Sequence, residues 1–148
     1  MNLTNLFQKQ AELDAYIIAK KGLEGQDLLP NTILALQVEL GECANEWRGF
    51  KHWSEDKDPR PKKLLVEYVD CLHFILSIGL KIKQTKICWD EDTIMYGRTL
   101  NYQFNKMFYL IGDMWDWIET GSTRYENYYD VCVFFIGLGE MLGFSWEE

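Results

Sequence analysis

The sequence predicts an all-α fold, a single-domain bundle of about five main helices spanning residues 1–148. Three observations carry that expectation. Apolar residues recur at three- and four-residue spacing over five long segments, the period of a helix buried on one side. No segment alternates apolar and polar residues over several positions, and no Asn-Gly or Asp-Gly pair marks a hairpin. Gly, Pro and short polar residues fall between the periodic segments, where helices begin and end.

A first helix is expected from Thr4 or Asn5 to about Lys20, with Lys21 and Gly22 closing it. Pro30 and Asn31 introduce a second, from about Thr32 to about Trp47. The run from Trp53 to Pro61 is polar and holds two of the three prolines, and Pro61 suits the first turn of a third helix reaching about Lys83. Residues 84–97 read as irregular. Two aromatic-rich helices follow, about Arg98 to Glu119 and Tyr125 to Leu142, parted by Thr120-Gly121-Ser122-Thr123. The final residues, Ser145-Trp146-Glu147-Glu148, read as an N-cap and the first turn of a further helix that continues beyond what is shown.

Composition narrows the function. The chain is 47% hydrophobic and 26% charged, which excludes a disordered or low-complexity protein. With 15 Lys and Arg against 23 Asp and Glu, its net charge is −8, which argues against a nucleic-acid partner needing many phosphate contacts. An anionic ligand would need a local device to hold it, and a divalent metal is the obvious one. No membrane partner is expected, because the longest nearly apolar stretches fall short of the roughly 18 residues a spanning helix requires. The four cysteines (Cys43, Cys71, Cys88, Cys132) form no C-x-x-C pair, so free thiols in a reducing cytoplasm are expected instead of a zinc site.

The chemistry concentrates on helices two and three. Glu39, Glu42 and Glu46 fall within an arc of roughly 60°, next to the apolar stripe of Ile33, Leu36, Leu40 and Trp47. They border the buried side instead of standing opposite it. Helix three is apolar nearly all round from Leu64 to Leu80, which implies burial on most sides, yet Glu67 and Asp70 sit inside it three residues apart. A buried carboxylate without a partner costs several kcal/mol or takes up a proton. If the two helices face each other, Glu39, Glu42, Glu67 and Asp70 surround one or more divalent cations, and all-oxygen ligands suit Mg²⁺ or Mn²⁺. The metal-free alternative pairs them with Lys and Arg from other segments, or leaves them lining a wet crevice.

On helix one, Gln10 and Asp14 interrupt the stripe of Leu3, Leu6, Phe7, Leu13 and Ile17, and polar groups there want hydrogen-bond partners. Asp113, Asp116 and Glu119 repeat a three-residue spacing on helix four, but in the setting of a solvated face. Met107, Phe108, Met114, Trp115, Trp117, Phe134 and Phe135 exceed the needs of one small core, so helices four and five are candidates for a homodimer surface.

The motifs Gln10-Ala11-Glu12-Leu13-Asp14, Glu39-Leu40-Gly41-Glu42-Cys43-Ala44-Asn45-Glu46, Phe50-Lys51-His52-Trp53-Ser54 and Glu67-Tyr68-Val69-Asp70-Cys71-Leu72-His73-Phe74 give the chain its resemblance. It resembles the dimeric all-α dUTPases of phage and bacterial type, within the MazG-like nucleoside triphosphate pyrophosphohydrolases. The likeness covers about the first half. It implies a homodimeric, cytoplasmic enzyme that hydrolyses dUTP to dUMP and pyrophosphate, some of whose phage relatives also bind a regulatory protein partner.

The same resemblance implies that Glu39, Glu42, Glu67 and Asp70 bind Mg²⁺ and that Glu39, or else Glu46, orients or deprotonates the attacking water. Gln10 and Asp14 would lie near the uracil, with the alternative that they make a polar contact between helices. Trp53 could cover the base and Lys51 hold a phosphate, or form a surface Lys beside a packing Trp. Phe74 could close the pocket against a ribose 2′-hydroxyl, or be plain core. His73 is read as a structural hydrogen-bonding residue. The family ends with a helix whose Lys, Asn and Arg contact the phosphates, so the 148-residue form is expected to turn over slowly. Two alternatives stay open: a pyrophosphohydrolase for another nucleotide such as dCTP, and a non-catalytic helical protein-interaction module.

Overall fold

The computed structural model describes residues 3–87, 91–121 and 126–145, and within them the chain is helical with no strand. Helix α1 runs Thr4–Lys21, α2 Leu29–Trp47, α3 Pro61–Lys81, α4 Leu100–Thr120 and α5 Glu126–Leu142, with a short 3₁₀ turn at Glu91–Thr93 before α4. Local chemistry sets the ends. Pro30 and Pro61 occupy first turns, where their missing N–H groups cost nothing. Gly22 and Gly121 close α1 and α4 in the left-handed conformation that glycine adopts without strain. The side chain of Thr99 accepts from the Tyr102 amide and caps α4. Helix α2 begins three residues earlier than the sequence suggests, because its first turn starts before Pro30 instead of after Asn31. The proposed terminal helix falls mostly outside the described residues, as do Cys88 and Ser122 to Tyr125; Ser145 itself is not helical.

The most extensive packing joins α2 to α3, a second pair joins α4 to α5, α1 lies on α3, and α2 touches α4. One core forms between them, with Leu36, Leu40, Cys43, Ile78, Met107, Ile111, Met114, Val131 and Leu138 essentially fully buried. Two reciprocal contacts fix α3 against α5. Tyr68 of α3 stacks on Phe135 with ring centroids 4.3 Å apart, and its hydroxyl donates to the Phe135 carbonyl at 3.1 Å. Tyr128 of α5 donates to the Ile75 carbonyl at 2.8 Å. Each phenol lies over a glycine of the opposite helix, Tyr68 on Gly139 and Tyr128 on Gly79, where a β-carbon would collide with the hydroxyl. Cys43, Cys71 and Cys132 are buried free thiols, and burial pushes Cys43 and Cys132 up to about 12. No described helix is long and apolar enough to cross a membrane.

Helix α3 is enclosed on most sides from Leu64 to Leu80, but one stripe stays open: Val66 is 56% and Val69 37% exposed, and His73 shares their face. A second refinement concerns the apolar excess of α4 and α5. Met107, Met114 and Phe135 are fully buried, while Trp115, Trp117 and Phe134 pack partly buried against the core. Because α4 and α5 pack on each other and on α2 and α3, that excess serves one core, and of the named set only Phe108 is exposed. Other exposed apolar side chains stand on α1 to α3, among them Tyr16, Leu34, Val38 and Val66, and on α4 at Tyr102 and Tyr109.

Candidate active site

Packing of α2 on α3 brings Glu39, Glu67 and Asp70 together, each half-buried and each with a carboxylate oxygen within 4.8 Å of the others'. Among the described residues, none of the three forms an ion pair with a Lys or Arg. The electrostatics are those of confined like charges. Partial burial, then the charges of Glu42, Asp70 and Glu67, push the Glu39 carboxyl above its ordinary range. Glu67 is raised in the same way by burial and then by Glu42, Asp70 and Glu46, and it hydrogen-bonds with Glu39. Both carboxyls therefore hold a proton more readily than a glutamate in water. Three hard oxygen donors converging without a counter-charge form a donor set that fits Mg²⁺ or Mn²⁺.

The other named carboxylates differ. Glu42 is exposed and lies outside the converging three, although its charge bears on both Glu39 and Glu67. Glu46 is buried, and Arg60 approaches it at 3.5 Å while the Arg60 amide donates to the Glu46 carbonyl. Arg60 also faces Asp56 at 3.7 Å, and Asp56 in turn holds Arg48 at 3.0 Å, so this network ties the α2–α3 connection to the end of α2. Arg48 itself ends α2 in a left-handed conformation with φ of 66°, secured by two bonds from its guanidinium to the Asp56 carbonyl. Asp113 donates nothing to any such cluster: it accepts from Asn127 at 2.7 Å, and Asp116 and Glu119 are exposed.

Asp70 also forms part of the wall of a cleft of about 400 Å³ between α1 and α3, within the size range of small-molecule sites. Gln10, Leu13, Asp14, Ile17, His73, Phe74, Ser77 and Lys81 line it with Asp70. Gln10 is only 5% exposed, and both ends of its amide are engaged. Its Nε2 donates to Asp14 Oδ1 at 2.8 Å, and its Oε1 lies 2.7 Å from His73 Nδ1. The other Asp14 oxygen accepts from Ser77 Oγ at 2.7 Å and faces Lys81 Nζ at 3.9 Å. The structure therefore brings Gln10, Asp14 and Phe74 into one cleft with Asp70, through which the cleft adjoins the carboxylate cluster.

It does not bring Lys51 or Trp53 there. Trp53 is 68% exposed and meets Phe50 and His52 edge-on, while Lys51 donates to Asn45. Phe50 instead borders a separate groove of about 310 Å³ between α2 and α4, lined by Trp47, Phe104 and Phe108 and holding no acidic or basic group. Sequence reasoning missed Ser77, Lys81 and Arg60. Ser77 had a signal, a hydroxyl on the Asp70–His73–Ser77–Lys81 stripe of an otherwise apolar helix; Arg60 had none, because it reaches Glu46 across a loop.

Comparison with protein families matches residues 2–148 to the family dUTPase_2, described as dUTPase. No curated protein and no solved structure matches the chain.

Proposed function

Given that this chain belongs to the dUTPase family, a membership covering residues 2–148, we propose that it is a metal-dependent dUTP pyrophosphohydrolase acting in the α1–α3 cleft. The observation that carries this reading is the convergence of Glu39, Glu67 and Asp70, none paired with a Lys or Arg among the described residues, with Asp70 in the wall of a cleft lined by an amide and an aromatic ring. Glu39, Glu67 and Asp70, joined by Glu42, would hold Mg²⁺ or Mn²⁺. Such a cation neutralises triphosphate charge and supports displacement at phosphorus with pyrophosphate leaving.

The chain's own groups do the rest. Glu39 orients the attacking water and takes its proton. Glu46, the other candidate base, already faces Arg60. Gln10 supplies a donor and an acceptor for the edge of a pyrimidine, and Phe74 fills the space a ribose 2′-hydroxyl would need. The protein would act in a reducing cytoplasm as a homodimer, with the exposed apolar side chains of α1 to α3, Leu34 and Val66 among them, as the surface to be covered. The reading is tested by pyrophosphate release with Mg²⁺ from dUTP, dCTP, dTTP and UTP. Preference for dUTP and rejection of UTP support it; preference for another nucleotide, or no release from any, overturns it.

A further inference from the structure

We propose that Asp14 is a positioning residue for base selection: it holds the Gln10 amide in one of its two flips, so that the cleft accepts uracil and rejects cytosine. The proposal rests on the dUTP reading above. A primary amide carries donors at one end and an acceptor at the other. Uracil presents an N3–H donor beside a carbonyl acceptor, and cytosine presents the reverse, an N3 acceptor beside an amino donor. A glutamine free to turn over pairs equally well with either base. Selection between them requires a glutamine that cannot turn.

In this cleft the turn is blocked from one side. Gln10 Nε2 donates to Asp14 Oδ1 at 2.8 Å, and a carboxylate has no hydrogen to offer in return. Reversing the amide would set Gln10 Oε1 against Asp14 Oδ1, two acceptors face to face at a residue only 5% exposed. Asp14 cannot swing aside, because Ser77 Oγ donates to its second oxygen at 2.7 Å and Lys81 supplies the compensating charge at 3.9 Å. The other end of the amide is a weaker lock. Gln10 Oε1 accepts from His73 Nδ1–H at 2.7 Å, but a histidine can move its proton to the other nitrogen and accept there instead. With this orientation one hydrogen of Nε2 and one lone pair of Oε1 remain for a ligand. Asp14 thus acts on the base through Gln10, and Ser77 and Lys81 act through Asp14.

The test is Asp14→Asn, which keeps the shape of the side chain but lets it present either an oxygen or an N–H to Gln10. The ratio of kcat/KM for dUTP to that for dCTP is measured in wild type and variant, together with binding of the products dUMP and dCMP by calorimetry. The expected result is a fall in both ratios of about tenfold or more, from gained cytosine binding as well as lost uracil binding. A purely structural role would weaken both nucleotides together and leave the ratios in place, and that result overturns the proposal. If Asp14→Asn does not fold, Ser77→Ala keeps the carboxylate and removes its tether; a smaller fall in the same ratios is expected, and unchanged ratios again overturn the proposal. A wild type that does not prefer dUTP to dCTP overturns the functional reading itself, and that outcome is distinct from a selective wild type whose variants stay selective.

Discussion

Replacing Glu67 by Gln should move stability in opposite directions with and without metal. The perturbation removes one of three carboxylates whose oxygens lie within 4.8 Å of one another. Two unit charges at that separation repel by about 3.5 kcal/mol at an effective dielectric constant of about 20. All three groups are half-buried, so water and salt screen much of this, and relief of about 1 kcal/mol is a fair expectation for Glu67→Gln. In a domain of this size that corresponds to a rise in Tm of roughly 2–4 °C for the metal-free protein. With Mg²⁺ the sign reverses. A metal at a hundredfold its Kd stabilises wild type by about 2.7 kcal/mol, and a site missing one charged ligand loses most of that. Thermal melts of both proteins in EDTA and in saturating Mg²⁺ make the comparison. A lower metal-free Tm for Glu67→Gln would mean that the carboxylate already has a stabilising partner, and the argument from uncompensated charge would fail. Identical wild-type melts with and without metal would remove the cation from the account.

The pH dependence follows from the same cluster. Burial and neighbouring carboxylates raise Glu39 and Glu67 above the ordinary 4.5, so the metal-free folded state holds these protons more tightly than the unfolded chain. Their contribution to stability is full below that value and is lost as pH rises through the higher folded-state values. Metal-free wild type should therefore gain Tm on acidification from neutrality toward 4.5 more steeply than Glu67→Gln, and equal slopes would contradict the assignment. Gln10→Ala should reduce dUTP turnover by about ten- to a hundredfold while leaving metal-induced stabilisation unchanged, since Gln10 bonds Asp14 and His73 but none of the three clustered carboxylates. An equal loss with dCTP would place base recognition elsewhere. Gly79→Ala should destabilise the fold by about 1–3 kcal/mol, because its β-carbon meets the bonded Tyr128 hydroxyl and the Phe7 ring. A melt unchanged from wild type would show that the α3–α5 contact yields more easily than its geometry suggests.

The helices were legible because their ends are written in single residues: Pro30 and Pro61 in first turns, Gly22 and Gly121 past last ones. The carboxylate cluster was legible for a related reason. Glu67 and Asp70 stand inside an apolar run and Glu39 borders another, places where a charged side chain is costly enough to need an explanation. Pairing between helices was not legible. Apolar periodicity says that a face is covered but not by what, so the open stripe of Val66 and Val69 looked like core. The aromatic excess of α4 and α5 looked like an interface, although most of it packs into the core of one chain, and periodicity gave no sign of the Tyr68–Gly139 and Tyr128–Gly79 contacts that close α3 on α5. The Gln10–Asp14 spacing announced a polar site on α1. Its orientation depends on His73, Ser77 and Lys81, which lie more than sixty residues away in sequence and meet it only in the folded chain.

Release of pyrophosphate from dUTP, followed with and without Mg²⁺ for wild type and Glu67→Gln, is the most direct test of the central claim. The account predicts release by wild type that depends on the divalent metal, exceeds release from dCTP, dTTP and UTP, and is abolished by Glu67→Gln. Metal-independent release, or release undiminished in Glu67→Gln, would contradict it.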